Sequence, residues 1–176
     1  MDDKAAIRTR MKMVRDLVDD RLMRSVELWS RVAALPEYRA ASTVMAFKGF
    51  KSEPDTDGLF ARVAADGKRL LLPRIDDGRI SVCDGDGPMT TSRIGVAEPQ
   101  GPALPLDVVE FVIVPGLAFT PEGDRLGYGA GFYDCFLKEL ALGGQVPNAG
   151  VCFDEQIVPD LPVEAHDVRV QQVVSA

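Results

Sequence analysis

The stretch Phe111-Val-Ile-Val114, set between Glu110 and Pro115, constrains the fold of this chain more than any other. Four consecutive apolar residues, three of them β-branched, cannot turn one face to water as a strand, so they must be covered on both sides. We read a strand over residues 107–115, and similar apolar runs at 42–47, 68–73, 79–83, 149–153 and 172–175 read the same way. Asp76-Asp77-Gly78 supplies the turn between the segments at 68–73 and 79–83. Between the strands lie helical patterns. Ile7, Met11, Val14, Val18, Leu22, Val26, Trp29 and Val32 recur at three- and four-residue steps over residues 2–35. That spacing predicts a helix with one apolar face, capped by Asp2 or Asp3, divided near Val18-Asp19-Asp20-Arg21 and stopped by Pro36. Further helices are expected at 57–65 and 132–142. Residues 84–106, rich in Gly, Pro and Asp, read as loop with a short extended piece at 95–99. Helices alternating with doubly buried strands imply an α/β sheet whose ligands gather beyond the carboxyl ends of the strands.

With 176 residues, 46% hydrophobic and 27% charged, the chain has the composition of one folded domain spanning residues 1–176, not of a disordered segment. Its longest apolar stretches fall far short of the ~20 residues a membrane span needs. Cys83, Cys135 and Cys152 are widely spaced, odd in number and without a Cys-x-x-Cys pair, so neither a disulfide framework nor a zinc cluster is indicated. A cytoplasmic location is expected, since Met-Asp-Asp-Lys at the start has no apolar leader. A net charge of -7 argues against a nucleic-acid partner held by a positive field. The charge is uneven: residues 1–35 hold eight Lys and Arg against six acids, interleaved as on a solvated helix face.

The chemistry concentrates between the strand at 107–115 and the helix at 132–142. Gly127, Gly129 and Gly131 alternate just before a helix N-terminus, a pattern that lets backbone N–H groups approach an anion where the helix dipole favours negative charge. Arg125 adds a guanidinium that forks onto phosphate oxygens, and Asp134 in the following turn can hold a hard cation. The spacing is neither the Rossmann nor the Walker pattern.

Arg125-Leu-Gly-Tyr-Gly-Ala-Gly-Phe-Tyr-Asp134 resembles the signature of the 5-formyltetrahydrofolate cyclo-ligase family. The same order of motifs continues through Lys4-x3-Arg8, Phe47-Lys-Gly-Phe-Lys-Ser-Glu-Pro-Asp-Thr56, Leu70-Leu-Leu-Pro-Arg74, Gly95-Val-Ala-Glu-Pro99 and Glu164-Ala-His-Asp-Val168, nearly the whole chain. The resemblance implies a three-layer α/β/α domain with a mostly parallel central sheet. It also implies an ATP- and Mg2+-dependent ring closure of 5-formyltetrahydrofolate to 5,10-methenyltetrahydrofolate through a phosphorylated formyl intermediate, with ADP and phosphate released. Position by position, it assigns Lys4, Arg8 and Arg125 to ATP, with Lys4 and Arg125 catalytic. The segment Gly127, Tyr128, Gly129, Ala130, Gly131, Phe132 and Tyr133 falls on the nucleotide loop, and Tyr128 to Phe132 also border the folate. Lys48 and Glu53 match folate contacts, and Asp134 and Asp167 match Mg2+ carboxylates. Ala130 stands where the family commonly has Gly or Lys, Phe132 where Tyr is common, and Gln171 where Asp is frequent. The expected partners are these small molecules, without nucleic acid or membrane, and the chain is expected to be a monomer or weak dimer.

Each residue also has a plainer reading. Lys4 and Arg8 can be surface helix charges, Glu53 a strand terminator, Asp134 a first-turn acid. His166, the single histidine, is read as positioning Asp167 or its loop, because the reaction needs no general base. A non-catalytic folate or nucleotide sensor on the same scaffold is the rival reading. A sugar-phosphate isomerase or acyl-CoA transferase-like enzyme would need a base or covalent Glu that no motif supplies.

Overall fold

The computed structural model of the chain describes residues 3–93 and 95–176. Helices α1 (Lys4–Asp16), α2 (Arg21–Ala34) and α3 (Pro36–Ala40) lead into β1 (Thr43–Met45), α4 (Asp57–Ala65), β2 (Arg69–Asp76) and β3 (Arg79–Asp84). Strands β4 (Met89–Thr91), β5 (Ala97–Pro99), β6 (Phe111–Val114), β7 (Ala118–Phe119) and β8 (Arg125–Leu126) follow. Helix α5 (Phe132–Leu142), β9 (Asn148–Cys152) and β10 (Gln172–Ser175) complete the chain. Among the described residues the central sheet has six strands in the order β10-β9-β6-β1-β2-β3. All neighbours in it are parallel except the hairpin pair β2–β3.

The doubly apolar runs do what their composition requires. All four residues of β6 are buried, with Phe111 and Ile113 on the side of α2, α3 and α4, and Val112 and Val114 on the side of α5. Val44 and Met45 split between the same two sides. Each such side chain contributes about 1.5–3 kcal/mol relative to exposure, so one helical layer would leave half of β6 uncovered. The three-layer arrangement follows. No helix among the described residues is long and apolar enough to cross a membrane.

The helix break falls where the charged stretch predicted it. Asp3 caps α1 by accepting from the Ala6 N–H at 2.8 Å, and Asp2 lies outside the described residues. Asp20 takes a left-handed φ of 52° before α2 begins. One expectation is corrected: Leu22 and Val26 are 71% and 65% exposed, whereas Trp29 and Val32 face the core as expected, joined there by Leu28 and Ala33. Pro36 ends α2 and opens α3, its fixed φ suiting a first helical position.

Three further corrections concern short pieces. Within 84–106, β4 pairs antiparallel with β5, so the segment is not all loop; Ile94 there lies outside the described residues. The strand expected at 107–115 narrows to β6, preceded by the 3-10 turn Leu106–Val108. The glycine-rich connection contains the antiparallel pair β7–β8.

The topology fixes where the site lies. β1 has β2 on one side and β6 on the other, so the chain winds outward in both directions from the middle of the sheet. At such a switch point the connections leaving neighbouring strands diverge and open a crevice at their carboxyl ends. The connections after β1, β6 and β9 carry residues 46–56, 115–131 and 153–171 to that end. Helix α1 lies beside them, with Ile7 and Met11 packed against Leu117, Ala118, Leu126 and Leu161.

The β7–β8 turn is clasped to the last of these connections: the Val170 N–H donates to the Gly123 carbonyl at 2.9 Å. Gly123 has a φ of 94°, and a Cβ there would overlap the Val170 carbonyl oxygen. Gly123→Ala is therefore expected to cost about 2 kcal/mol or more, combining backbone strain with a clash against main chain. Urea unfolding of the variant beside the wild type checks this.

Candidate active site

The glycine-rich connection enters the crevice after β6 and ends on the N-terminus of α5. Gly129 and Gly131 take φ of 110° and 70°, conformations that allow the sharp approach to the first turn of the helix. Gly127 is different. Its φ is not positive, and a Cβ there would lie 2.8 Å from Arg125 Nη1, so a side chain at this position would displace that end of the guanidinium.

Two cavities meet along this loop. One, of about 330 Å³, is lined by charged groups of both signs, Lys4, Arg8 and Arg125 against Asp134, Glu164 and Asp167. The other, of about 520 Å³, is largely apolar, with Phe47, Leu72, Ile75, Ile80 and Phe132 in its wall and Lys48 and Glu53 near them. Both volumes fall in the range of small-ligand pockets. Pro115, Tyr128, Ala130, Phe132 and Tyr133 border both, so the two cavities share one wall.

In the polar cavity, Lys4 Nζ lies 2.6 Å from Asp167 Oδ2 and 3.3 Å from Glu164 Oε2. Burial works to lower the Lys4 pKa, but the hydrogen bonds and charges of the two carboxylates outweigh it and hold the ammonium above its ordinary value. Burial likewise works to raise Asp167, and the Lys4 bond, the Glu164 N–H at 2.8 Å and nearby positive charge bring it below the usual carboxylate range. Arg8, one turn along α1, donates from Nε to the Gly127 carbonyl at 3.0 Å. His166 is exposed, with Nε2 3.1 Å from Glu164 Oε2 and 3.7 Å from Asp167 Oδ1. Glu164, His166 and Asp167 bring ligand atoms within 4.8 Å of one another.

Arg125 and Asp134 form a pair 2.9 Å apart, their side chains 3% and 13% exposed. Asp134 uses its other oxygen to accept the Val168 N–H at 2.9 Å, tying α5 to the connection that carries Asp167. Arg125 Nε and the Tyr133 hydroxyl are buried without a hydrogen-bond partner among the described residues. Groups of this kind cost about 1–3 kcal/mol when left unsatisfied, and both residues border the polar cavity.

In the apolar cavity the connection after β1 is folded on itself and pinned to α2. The Gly49 N–H donates to Thr56 Oγ1 at 3.0 Å, Trp29 Nε1 donates to the Asp55 carbonyl at 2.6 Å, and the Asp55 N–H donates to Ser25 Oγ at 2.9 Å. Glu53 projects from this loop, accepting the Phe50 N–H at 2.9 Å on one oxygen and the Tyr128 hydroxyl on the other. Lys48 pairs with Asp57 and stands 5.3 Å over the Phe60 ring. All the residues expected from the sequence thus lie around the two joined cavities. Arg15 does so too, and was missed: its Nη1 donates to the Tyr128 hydroxyl at 2.6 Å and its Nε to Ser52 Oγ at 3.1 Å. The available signal was spacing, since residues 4, 8 and 15 fall within about 40° of one another on a helix turning 100° per residue.

Comparison with known proteins identifies the family and the fold. The model of the 5-formyltetrahydrofolate cyclo-ligase family matches residues 1–176. The 5-formyltetrahydrofolate cyclo-ligase of Mycolicibacterium smegmatis is 34% identical over 143 residues, covering 76% of this chain and 73% of that protein. That of Escherichia coli K12 is 32% identical over 154 residues, covering 83% and 84%. The solved 5,10-methenyltetrahydrofolate synthetase of Aquifex aeolicus superposes with a TM-score of 0.84 at 30% identity, over 98% of this chain and 89% of that one.

The environment of Glu53 has a consequence for stability. Burial raises its pKa, against the Tyr128 hydrogen bond, the Arg15 charge and the Phe50 N–H, which lower it by less. A carboxyl with a raised folded-state pKa binds its proton more tightly folded than unfolded, so its contribution to stability falls as pH rises. The stability of the wild type relative to Glu53→Gln is expected to decline from about pH 4, near the unfolded carboxyl value, up through the raised folded value and then level off. Urea unfolding of both proteins between pH 4 and 8 reads this; a difference that grows with pH contradicts it.

Proposed function

The chain belongs to the 5-formyltetrahydrofolate cyclo-ligase family, and from that premise we propose that it closes 5-formyltetrahydrofolate to 5,10-methenyltetrahydrofolate at the expense of ATP. The observation that carries this reading is the shared wall: a cavity lined by charged side chains and an apolar cavity meet at Tyr128, Ala130, Phe132 and Tyr133. Such a site suits transfer of a phosphoryl group from a ligand in one to a ligand in the other.

The chemistry explains why two cavities are needed. The N5 formyl group is amide-like and its oxygen leaves poorly. Attack of that oxygen on the γ-phosphorus breaks the bond to ADP and yields a phosphorylated imidate. N10 of the same molecule then attacks the formyl carbon, its proton is lost, and the carbon–oxygen bond breaks to release phosphate. The nucleophile belongs to the substrate, so the protein supplies orientation and charge rather than a covalent residue.

The side chains divide that work. Lys4 has three donors, of which Asp167 and Glu164 take two, and the third is left for a phosphate oxygen. Arg8 keeps its two terminal nitrogens for the same purpose while Nε holds the Gly127 carbonyl. Arg125 and Tyr133, which line the polar cavity, carry donors suited to oxygens that gain charge during transfer. The first-turn N–H groups of α5 add to them. On the folate side Glu53 suits the donor edge of the pterin, Phe132 its ring, and Lys48 its polar margin.

The donor set also fits a hard cation. Asp167 Oδ1 accepts no hydrogen bond among the described residues, while each Asp134 oxygen accepts one. Asp167 and Asp134 would hold Mg2+, with phosphate oxygens and water filling the remaining positions. Bound there, Mg2+ offsets the negative charge of the phosphates.

Purified protein mixed with 5-formyltetrahydrofolate, ATP and Mg2+ is expected to produce the methenyl chromophore, with each of the three required. Binding of both ligands without turnover would instead favour a sensor. Arg125→Ala is expected to lower kcat by about two to three orders of magnitude, the usual loss for one preorganised donor at developing charge. Retained kcat with altered folding stability would reduce Arg125 to a partner of Asp134. Asp134→Asn and Asp167→Asn are each expected to make ATP affinity less responsive to Mg2+, with excess Mg2+ partly rescuing a carboxylate that binds through water. ATP titrations at several Mg2+ concentrations check this; wild-type Mg2+ dependence in both variants overturns the metal assignment.

A further inference from the structure

Helix α1 borders both cavities. Lys4 and Arg8 stand at the polar one, and Arg15, about 16 Å from Lys4 and about 10 Å from Arg8 along the axis at 1.5 Å per residue, stands at the apolar one. Arg15 is 4% exposed and continues the buried face of α1 after Ile7 and Met11, where a charged side chain is unusual. Its guanidinium reaches two different connections. Nε donates to Ser52 Oγ on the loop after β1, and Nη1 donates to the Tyr128 hydroxyl on the loop after β6, with Cζ 5.6 Å from the Tyr128 ring centre. Tyr128 passes the contact on by donating its own hydroxyl hydrogen to Glu53, whose carboxylate lies 3.9 Å from Arg15 Nη1.

We propose that Arg15 is a positioning residue that fixes the nucleotide-side loop against the folate-side loop, so that each substrate binds better when the other is present. The proposal rests on the two-substrate reading of the joined cavities. Its physical content is that Gly127 to Gly131 and residues 48–56 have no continuous backbone ladder between them, and the Arg15 fork closes the gap. A ligand that orders one loop then lowers the ordering cost of the other. A one-ångström error in the relative placement of two reacting groups can cost about a hundredfold in rate, so this clasp bears on kcat as well as on affinity. A lysine at this position would keep the charge but has no fork, and one ammonium does not reproduce the planar two-nitrogen geometry.

The test measures binding of the β,γ-imido analogue of ATP with Mg2+, alone and with saturating 5-formyltetrahydrofolate, by calorimetry, and the reverse pair. Wild type is expected to show mutual tightening of about fivefold or more. Arg15→Met, Arg15→Lys and Tyr128→Phe are each expected to bring that factor close to one, with kcat down about tenfold to a hundredfold. Because Arg15 and Tyr128 act through one contact, the double variant Arg15→Met, Tyr128→Phe is expected to be no worse than the worse single variant. Wild-type coupling in Arg15→Met or Tyr128→Phe, or additive losses in the double variant, overturns the proposal. If Arg15→Met does not fold, Tyr128→Phe, which removes a single hydroxyl, decides alone. Active wild-type protein without mutual tightening refutes the clasp and leaves the ligase reading intact, whereas absence of turnover refutes the ligase reading itself.

Discussion

A sheet covered on both faces can be reached by a ligand only at its edges or at the ends of its strands. In this chain β6 imposes that condition, because its four residues leave no polar side. Helices must then lie on both sides of the sheet, and the chain has to wind in opposite directions from β1 to place them. The crevice between the exits of β1 and β6 is the geometric residue of that winding. Three of the connections that carry the candidate site residues are gathered there: the folded loop with Glu53, the glycine-rich loop with Arg125, and the segment with Asp167. Packing thus determines where the chemistry sits, and the loops determine what it is.

The charges of the site are balanced internally. Lys4 meets Asp167 and Glu164, Arg125 meets Asp134, and Arg15 lies near Glu53. In an acidic protein these pairs keep the cations pointed inward and the carboxylates close to the protons they influence. The pairs are unequal. Arg125 and Asp134 are both sheltered, so removing either strands its partner, whereas Glu164 is half-exposed and its share of Lys4 is screened by water. An anionic ligand entering the polar cavity therefore competes most easily for Lys4 and Arg8, and meets Arg125 as a fixed donor already held in place by Asp134.

Much of this was legible in the sequence because it rested on periodicity or on residues of special conformation. The apolar runs, the turn at Asp76-Asp77-Gly78, the break before Arg21 and the helix after Gly131 each have a local physical cause. The pairs β4–β5 and β7–β8 do not. Strands of two or three residues are too short to alternate, and they exist because a partner is near rather than because of their own composition. Leu22 and Val26 misled for a related reason: the left-handed residue Asp20 starts α2 on a new phase, so a spacing read across the break fails in the first turns of the new helix, although it still includes the buried Trp29 and Val32. Arg15 escaped notice because a basic residue among other basic residues looks like solvated surface. Its burial depends on Ser52 and Tyr128, which come from two other parts of the chain.

The placement of Lys4, Arg8 and Arg15 on one helix limits how this sequence can change its length. Inserting one residue into α1 between Arg8 and Arg15 would swing Arg15 by about 100° while leaving Lys4 and Arg8 where they are. An insertion of a whole turn would keep the direction but carry the guanidinium about 5.4 Å past Ser52 and Tyr128. Between the polar and apolar cavities, then, the helix behaves as a segment of fixed residue count. Substitutions can accumulate on its outer face, but insertions and deletions are confined to its ends.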